Sequence, residues 1–248
     1  ARTDGRTWVL APLSDGPQPT VSLTLLHLGV PVMCAVAMPE LPRNSLDGEK
    51  LLRMTVSFDG QSGAVAPPKG TILWAEQGIG SYERSIGDTH GTDVRIRVDR
   101  SLIGRGRSIA NQVATPEVVV DPDTTRCERA PSKRGAALAS ALGITSDPIK
   151  LDSPFVYGLI ARGEAQTYFN LPDDPAAFDN HIWSHAAGSL LVFEAGGLVT
   201  DTSGKELYFL ASGSNSLGPT VAGTIATNRD LHQAVLVANA ELDVAATK

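Results

Sequence analysis

The first hundred residues contain short apolar runs separated by turn residues. The run Trp8–Ala11 ends in a Pro-Leu-Ser-Asp-Gly turn, and the Val- and Leu-rich runs Val21–Val30 and Val32–Met38 follow it. Residues 71–84 contain two further apolar runs on either side of the turn at 78–80. Short runs of this kind, bounded by Gly, Pro, Ser and Asp, are typical of β-strands. We therefore predict an antiparallel sheet within residues 1–100, which would form the first, α+β half.

From about Ser101 the pattern changes to strands that alternate with helices. His181–Ala195 is the clearest helix, because its apolar residues recur at helical spacing and two glycines follow it. Such alternation favours an α/β layer, which we predict as the second half, residues 101–248. The other predicted helices are Lys133–Leu142, Pro154–Arg162 and Asp230–Ala240, and the predicted strands are Val118–Val120, Ile149–Leu151, Gln166–Asn170, Leu198–Thr200 and Val221–Thr227.

The composition is that of a soluble globular protein. Hydrophobic residues make up 42% of the 248, charged residues make up 19%, and the net charge is −6. An acidic chain has no basic field to attract nucleic acid or an anionic membrane. No apolar run approaches the roughly 20 residues that cross a bilayer. We therefore expect a cytoplasmic protein that binds neither nucleic acid nor membrane.

Three segments resemble a known family. "IWSHAAGSLLVFEAGGLVTDTSGKELYF" (182–209) resembles the W-D-H-A-A-G … E-A-G-G-x-x-T-D … G-x-x-L-x-F segment of 3′(2′),5′-bisphosphate nucleotidases, which are relatives of inositol monophosphatase and fructose-1,6-bisphosphatase. "TWVLAPLSDG" (7–16) resembles their W-x-L-D-P-I-D-G-T, and residues 149–172 resemble the segment that leads into the W-D-H-A-A-G helix. The resemblance implies a layered α/β/α/β sandwich of the inositol monophosphatase type. It also implies Mg²⁺-dependent hydrolysis of phosphomonoesters.

At the positions where the family holds metal, this sequence has few carboxylates. The resemblance places the first Asp of D-P-I-D-G on Ala11, the second on Ser14 or Asp15, and the Asp of W-D-H on Ser184. The family's metal-ligating Glu lies in an N-terminal segment with two helices, for which we find no counterpart here. A lone carboxylate does not hold a cluster of Mg²⁺ ions. We therefore predict no cofactor, with Mg²⁺ bound only if a residual phosphatase site persists around Asp15.

The positions of the family's nucleotide site have also lost charge. Ser153 and Tyr157 match the family, but Pro131, Val156 and Asn170 stand where it has His, Lys and Arg. Without these cations the cleft lacks the positive charge that a bisphosphate requires.

Our main hypothesis is a repurposed, metal-independent enzyme of the isomerase, cyclase or lyase type. It would convert a small organic molecule by acid/base chemistry. One alternative is a non-catalytic pseudophosphatase that serves as a binding or scaffold subunit, and another is a Mg²⁺-dependent 3′(2′),5′-bisphosphate nucleotidase. The candidate catalytic residues are Asp15, Glu128, Asp152 and His185, and the candidate substrate-binding residues are Ala11, Ser14, Ser153, Tyr157, Asn170 and Ser184.

Several candidates also have purely structural interpretations. Asp15 is typical of an Asp-Gly turn, Asp152 and Ser153 of a helix N-cap, and His185 of a packed helix residue. Without the family's two N-terminal helices, one face of the first sheet would be uncovered. We therefore expect that another chain, or a second copy of this one, covers that face.

Overall fold

A six-stranded antiparallel sheet forms the first part of the fold. The computed structural model describes residues 4–11, 19–39, 41, 70–100, 133–144, 155–171, 181–209, 217 and 221–246. Neighbouring strands in the chain are neighbours in the sheet, and every pair is antiparallel. The strands are β1 (Arg6–Ala11), β2 (Val21–His27), β3 (Val30–Met38), β4 (Thr71–Glu76), β5 (Gly80–Ser85) and β6 (Val94–Ile96).

The β2–β3 hairpin turns earlier than the sequence predicts. The turn is made by Leu28 and Gly29, whose φ angles are 51° and 82°. Two consecutive positive φ angles favour a tight hairpin, because their twist matches that of the strands. Val30, the last residue of the first predicted run, and Pro31, which lies between the two predicted runs, instead begin β3.

A second, three-stranded sheet lies in the later part of the chain. It consists of β7 (Thr167–Asn170), β8 (Gly197–Asp201) and β9 (Thr224–Asn228), in the order β7-β9-β8 with antiparallel pairing. The predicted strands Val118–Val120 and Ile149–Leu151 lie outside the described residues.

Helices pack between the two sheets and on the far side of the second. The helices are α1 (Lys133–Ala141), α2 (Phe155–Ala161), α3 (Ile182–Glu194) and α4 (Arg229–Ala246). The main core joins the inner face of the first sheet to α2, α3 and the second sheet, and a smaller core joins the second sheet to α1 and α4. The layered α/β sandwich predicted from the sequence is therefore confirmed. The boundary at residue 100 stays a prediction, and α3 contacts both sheets.

Two glycines permit helices α2 and α3 to pack closely, one against the first sheet and the other between the two helices. A Cβ on Gly158 of α2 would lie 2.8 Å from side-chain atoms of Met38 and Leu73, and one on Gly188 of α3 would overlap the ring of Tyr157. Real Cβ atoms do not approach other atoms so closely, so a larger side chain would push the layers apart.

Cys34 lies at the contact between the first sheet and α3. Its side chain is buried, and Sγ donates a hydrogen bond to the carbonyl oxygen of Ala187 at 3.4 Å. Burial raises the pKa of this thiol to about 12. Cys34 is therefore a buried free thiol.

In the described part of the chain, no helix combines the length and the apolar composition that crossing a membrane requires. The cytoplasmic location stays a prediction.

Candidate functional site

The end of β1 and the first turn of α3 lie on elements that contact each other. Val9 of β1 packs against a cluster that contains Ile182 and Ala186 of α3. Because side chains alternate along a strand, Ala11 lies on the same face as Val9, and it is buried. Ser184, between the two helix residues, is half-buried. The structure therefore brings together the elements that carry two of the predicted site residues.

The N-terminus of α3 is held by backbone and ring contacts. The backbone N–H of Ser184 donates to the carbonyl oxygen of His181 at 3.1 Å, and His181, the N-cap residue, makes no side-chain capping bond. The ring of His181 stacks on Trp183, with centroids 4.1 Å apart. A helix N-terminus carries a partial positive charge and exposed N–H groups, which favour an anion. Electrostatically, this end of α3 suits a phosphate group.

A buried Tyr–His pair lies one residue beyond Ser184. The hydroxyl of Tyr157 on α2 lies 2.5 Å from Nδ1 of His185 on α3. Burial lowers the pKa of His185 to about 3 and raises the pKa of Tyr157. Both groups are therefore neutral at pH 7, and the imidazole tautomer decides which of the two donates. The pair connects α2 to the first turn of α3.

Asn170 lies at the end of β7, on the strand next to this pair. It is buried and pairs with Thr224 of β9. Tyr168, two residues earlier, packs its ring edge-on against Tyr157, with centroids 5.4 Å apart. Tyr157, His185 and Asn170 are thus linked through one packed region.

The other predicted site residues cannot be placed in this geometry. Ser14, Asp15, Glu128, Asp152 and Ser153 lie outside the described residues. Their proposed roles stay predictions, as does the catalytic role of His185. Because the pKa of His185 is lowered to about 3, its imidazole is neutral, not a doubly protonated imidazolium, near pH 7.

The described residues do not form a magnesium centre on their own. Ala11 has no donor atom, and Ser184 offers a neutral hydroxyl rather than a carboxylate. No group of three or more His, Cys, Asp or Glu side chains in the described ranges is arranged to hold a metal ion. Mg²⁺ requires several hard oxygen ligands, so these residues alone do not fit it.

Sequence reasoning missed a cavity beside the C-terminal half of α3. Its volume is about 220 Å³, and its walls come from the start of β3, from α3, from β8 and from residues 206–209. Leu190 and Phe193 are apolar residues of the predicted helix, and a pattern alone assigns such residues to the core. Only the long-range packing of these segments reveals that a cavity lies between them.

Comparison with known proteins identifies the family. A model of the inositol monophosphatase family matches residues 3–241. The chain belongs to this family. An inositol monophosphatase from Anabaena has the same fold, with a TM-score of 0.53 and 18% identity over 96% of this chain and 74% of that one.

Two curated relatives in the family share one name. The 3′(2′),5′-bisphosphate nucleotidase of Schizosaccharomyces pombe is 30% identical over 96% of this chain and 60% of its own length. That of Emericella nidulans is 33% identical over 94% of this chain and 62% of its own length. The chain thus spans about three fifths of the curated relatives it matches.

Family membership corrects two of our predictions. The hypothesis of a repurposed, metal-independent isomerase, cyclase or lyase is wrong, because the chain is similar over nearly its whole length to proteins named as nucleotidases. The prediction of no cofactor is wrong, because the family consists of Mg²⁺-dependent phosphatases. Both errors came from giving Ala11 and Ser184 more weight than the similarity of the remaining chain.

Proposed function

We propose that the protein hydrolyses the 3′(2′)-phosphomonoester of a bisphosphorylated nucleotide, with Mg²⁺ as the cofactor. The observation that carries this proposal is the similarity to the bisphosphate nucleotidases, at 30–33% identity over 94–96% of the chain. Mg²⁺ would neutralise charge on the transferring group and lower the pKa of the attacking water. Since the described residues do not form its centre, we assign no metal ligand among them.

The described residues have supporting roles in this proposal. The Ser184 hydroxyl lies in the first turn of α3, where it could donate a hydrogen bond to a phosphate oxygen. The partial positive charge of the helix N-terminus favours the same group. The hydrogen bond between Tyr157 and His185 fixes this turn against α2. Catalysis requires such fixed positions, because small displacements of a positioned group are costly.

The direct test is phosphate release from 3′-phosphoadenosine 5′-phosphate. We expect release that requires Mg²⁺ and yields adenosine 5′-monophosphate. Adenosine 5′-monophosphate itself, which lacks the 3′-phosphate, is the matched control and should release little phosphate. A folded protein that releases no phosphate above the uncatalysed rate, with or without Mg²⁺, would contradict the proposal.

A second experiment tests whether Ser184 lies at the metal-binding end of the site. Ser184→Asp adds a carboxylate where the family has one, so we expect the Mg²⁺ concentration for half-maximal rate to fall about tenfold, or about 1.4 kcal/mol. Ser189→Asp is the matched control, because Ser189 lies on the same helix and donates its hydroxyl to the carbonyl oxygen of Ala186. Equal Mg²⁺ dependence in the two variants would place Ser184 away from the metal.

A further inference from the structure

The cavity beside the C-terminal half of α3 has an apolar interior. Its most buried lining residues are Leu190, Val199 and Phe209, which expose 5%, 7% and 1% of their surface. The cavity volume is about 220 Å³, whereas an engineered apolar protein cavity of roughly 150 Å³ already binds benzene. The interior therefore has room for an aromatic ring with a short side chain.

Hydrogen bonds between distant segments hold one wall of this cavity in place. The backbone N–H of Phe209 donates to the carbonyl oxygen of Gly29 at 3.0 Å. Glu206, at the other end of the same segment, forms an isolated β-bridge with Thr200. The segment 206–209 is thus tied to the β2–β3 hairpin at one end and to β8 at the other. A cavity with fixed walls binds a small ligand without the entropic cost of ordering those walls.

Aromatic rings and one carboxylate lie at the solvent side of the cavity. Phe193 and Tyr208 line it and expose 45% and 57% of their surface. The hydroxyl of Tyr208 donates to the carbonyl oxygen of Leu28 at 2.9 Å, which fixes that ring. Glu206 is the one charged side chain among the described lining residues, and it forms no ion pair with a described Lys or Arg. Aromatic faces and a carboxylate both attract a cation.

Two cations lie next to lining residues without lining the cavity themselves. The guanidinium carbon of Arg229 lies 5.2 Å from the centroid of the Phe193 ring, and Lys205 precedes Glu206 in the chain. Neither cation is among the lining residues, so the charge in the lining is that of the Glu206 carboxylate. The contact between Arg229 and Phe193 also shows that this rim accepts a cation on an aromatic face.

We propose that this cavity binds a small aromatic amine. The ring of the ligand packs in the apolar interior, and its ammonium group lies at the mouth beside Glu206 and the exposed aromatic rings. A ligand of the same shape that carries a carboxylate is disfavoured, because its charge would lie beside that of Glu206. This inference is independent of the phosphatase chemistry, since Ser184 lies in the first turn of α3 and the cavity lies beside the C-terminal half of that helix.

The first test measures binding of 4-fluorophenethylamine to the 248-residue chain by fluorine NMR. We expect saturable binding with a Kd of about 1 mM, as is typical of a ligand with few atoms. The matched ligand is 3-(4-fluorophenyl)propionate, which has a carboxylate in place of the ammonium group and should bind about tenfold more weakly. A folded protein that shows no saturation by about 10 mM amine, or equal affinity for the two ligands, would overturn the proposal.

A second test removes the charge at the mouth of the cavity. Glu206→Gln, at an exposed position, should weaken binding of the amine about fourfold, because an exposed ion pair contributes modestly. The neutral 4-fluorophenylethanol should bind this variant and the wild type equally. Glu241→Gln, at an exposed position of α4 outside the lining, is the matched control and should leave the affinity for the amine unchanged. Equal affinity of Glu206→Gln and the wild type for the amine would contradict the proposal.

A third test fills the cavity from α3. Ser189 is a half-buried lining residue whose hydroxyl donates to the carbonyl oxygen of Ala186 in the same helix, so Ser189→Leu adds volume at a position that suits a good helix former. It should weaken binding of the amine more than about tenfold, whereas Ser189→Ala, the matched control, should still bind it. Full binding by a folded Ser189→Leu variant would place the ligand elsewhere and overturn the proposal. Circular dichroism checks folding, and Glu206→Gln decides if Ser189→Leu does not fold.

Discussion

Lowering the pH from 7 to 5 should destabilise the protein through the imidazole of His185. This side chain is buried between α2 and α3, and its Nδ1 is hydrogen-bonded to the Tyr157 hydroxyl. Burial holds the pKa of His185 near 3, well below its ordinary value of 6.5. A second proton on the ring would leave a charge in the core.

The sign and the size of the effect follow from the two pKa values. In the unfolded chain the imidazole takes up a proton near pH 6.5, whereas the folded protein resists protonation until near pH 3. Between these values the unfolded state binds more protons, so stability is complete above pH 6.5 and falls with pH below it. At 1.36 kcal/mol per pH unit, the loss is about 2 kcal/mol by pH 5. His232, whose pKa is also lowered by burial, adds to the loss in the same direction.

Urea unfolding at pH 7, 6 and 5, at one protein concentration, measures this loss. His185→Gln retains a hydrogen-bonding group beside Tyr157 but does not titrate, so its stability should depend about 2 kcal/mol less on pH over this range. His27→Gln, at an exposed position of β2, is the matched control and should behave like the wild type. Equal pH dependence in His185→Gln and the wild type would refute the reasoning.

Two further substitutions test the packing of the layers. Gly188→Ala should lower the free energy of unfolding by about 2 kcal/mol, because its Cβ would overlap the buried Tyr157 ring, and an unchanged melting temperature would contradict this. Arg162→Met should cost about 3–5 kcal/mol in urea unfolding, because the guanidinium is almost fully buried between Glu83 at 3.4 Å and Glu164 at 2.6 Å. A loss below about 1 kcal/mol would show that these carboxylates find other partners.

The sequence predicts the helices and strands well where local signals are strong. The observed α3 begins and ends within one residue of the predicted helix, because helical spacing and the following glycines mark it. The hairpin turn was placed too late, because no propensity marks Leu28 for a positive φ. Helix α4 continues six residues beyond Ala240, the predicted end, because good helix formers follow.

The site was predictable only in part. The resemblance placed Ala11 and Ser184 at one site, and the structure puts their elements in contact. The bond between Tyr157 and His185 and the buried ion pair between Arg162 and Glu83 join residues distant in the chain, so no local pattern marks them. The function prediction was wrong because it relied on two substituted ligand positions, Ala11 and Ser184. Such positions report only on the local donor atoms, whereas similarity along nearly the whole chain reports on the family.

Chemical labelling of the buried Cys34 thiol can measure how often the first sheet separates from α3. A thiol reagent reaches the sulfur only when the first sheet separates from α3, because Sγ lies against the backbone of that helix. While the layers are packed, burial holds the pKa of the thiol near 12, so it stays protonated and unreactive at neutral pH, whereas exposure removes the cause of that shift. In a Cys127→Ser background, the labelling rate of Cys34 would therefore time how often the layers part, without an added probe.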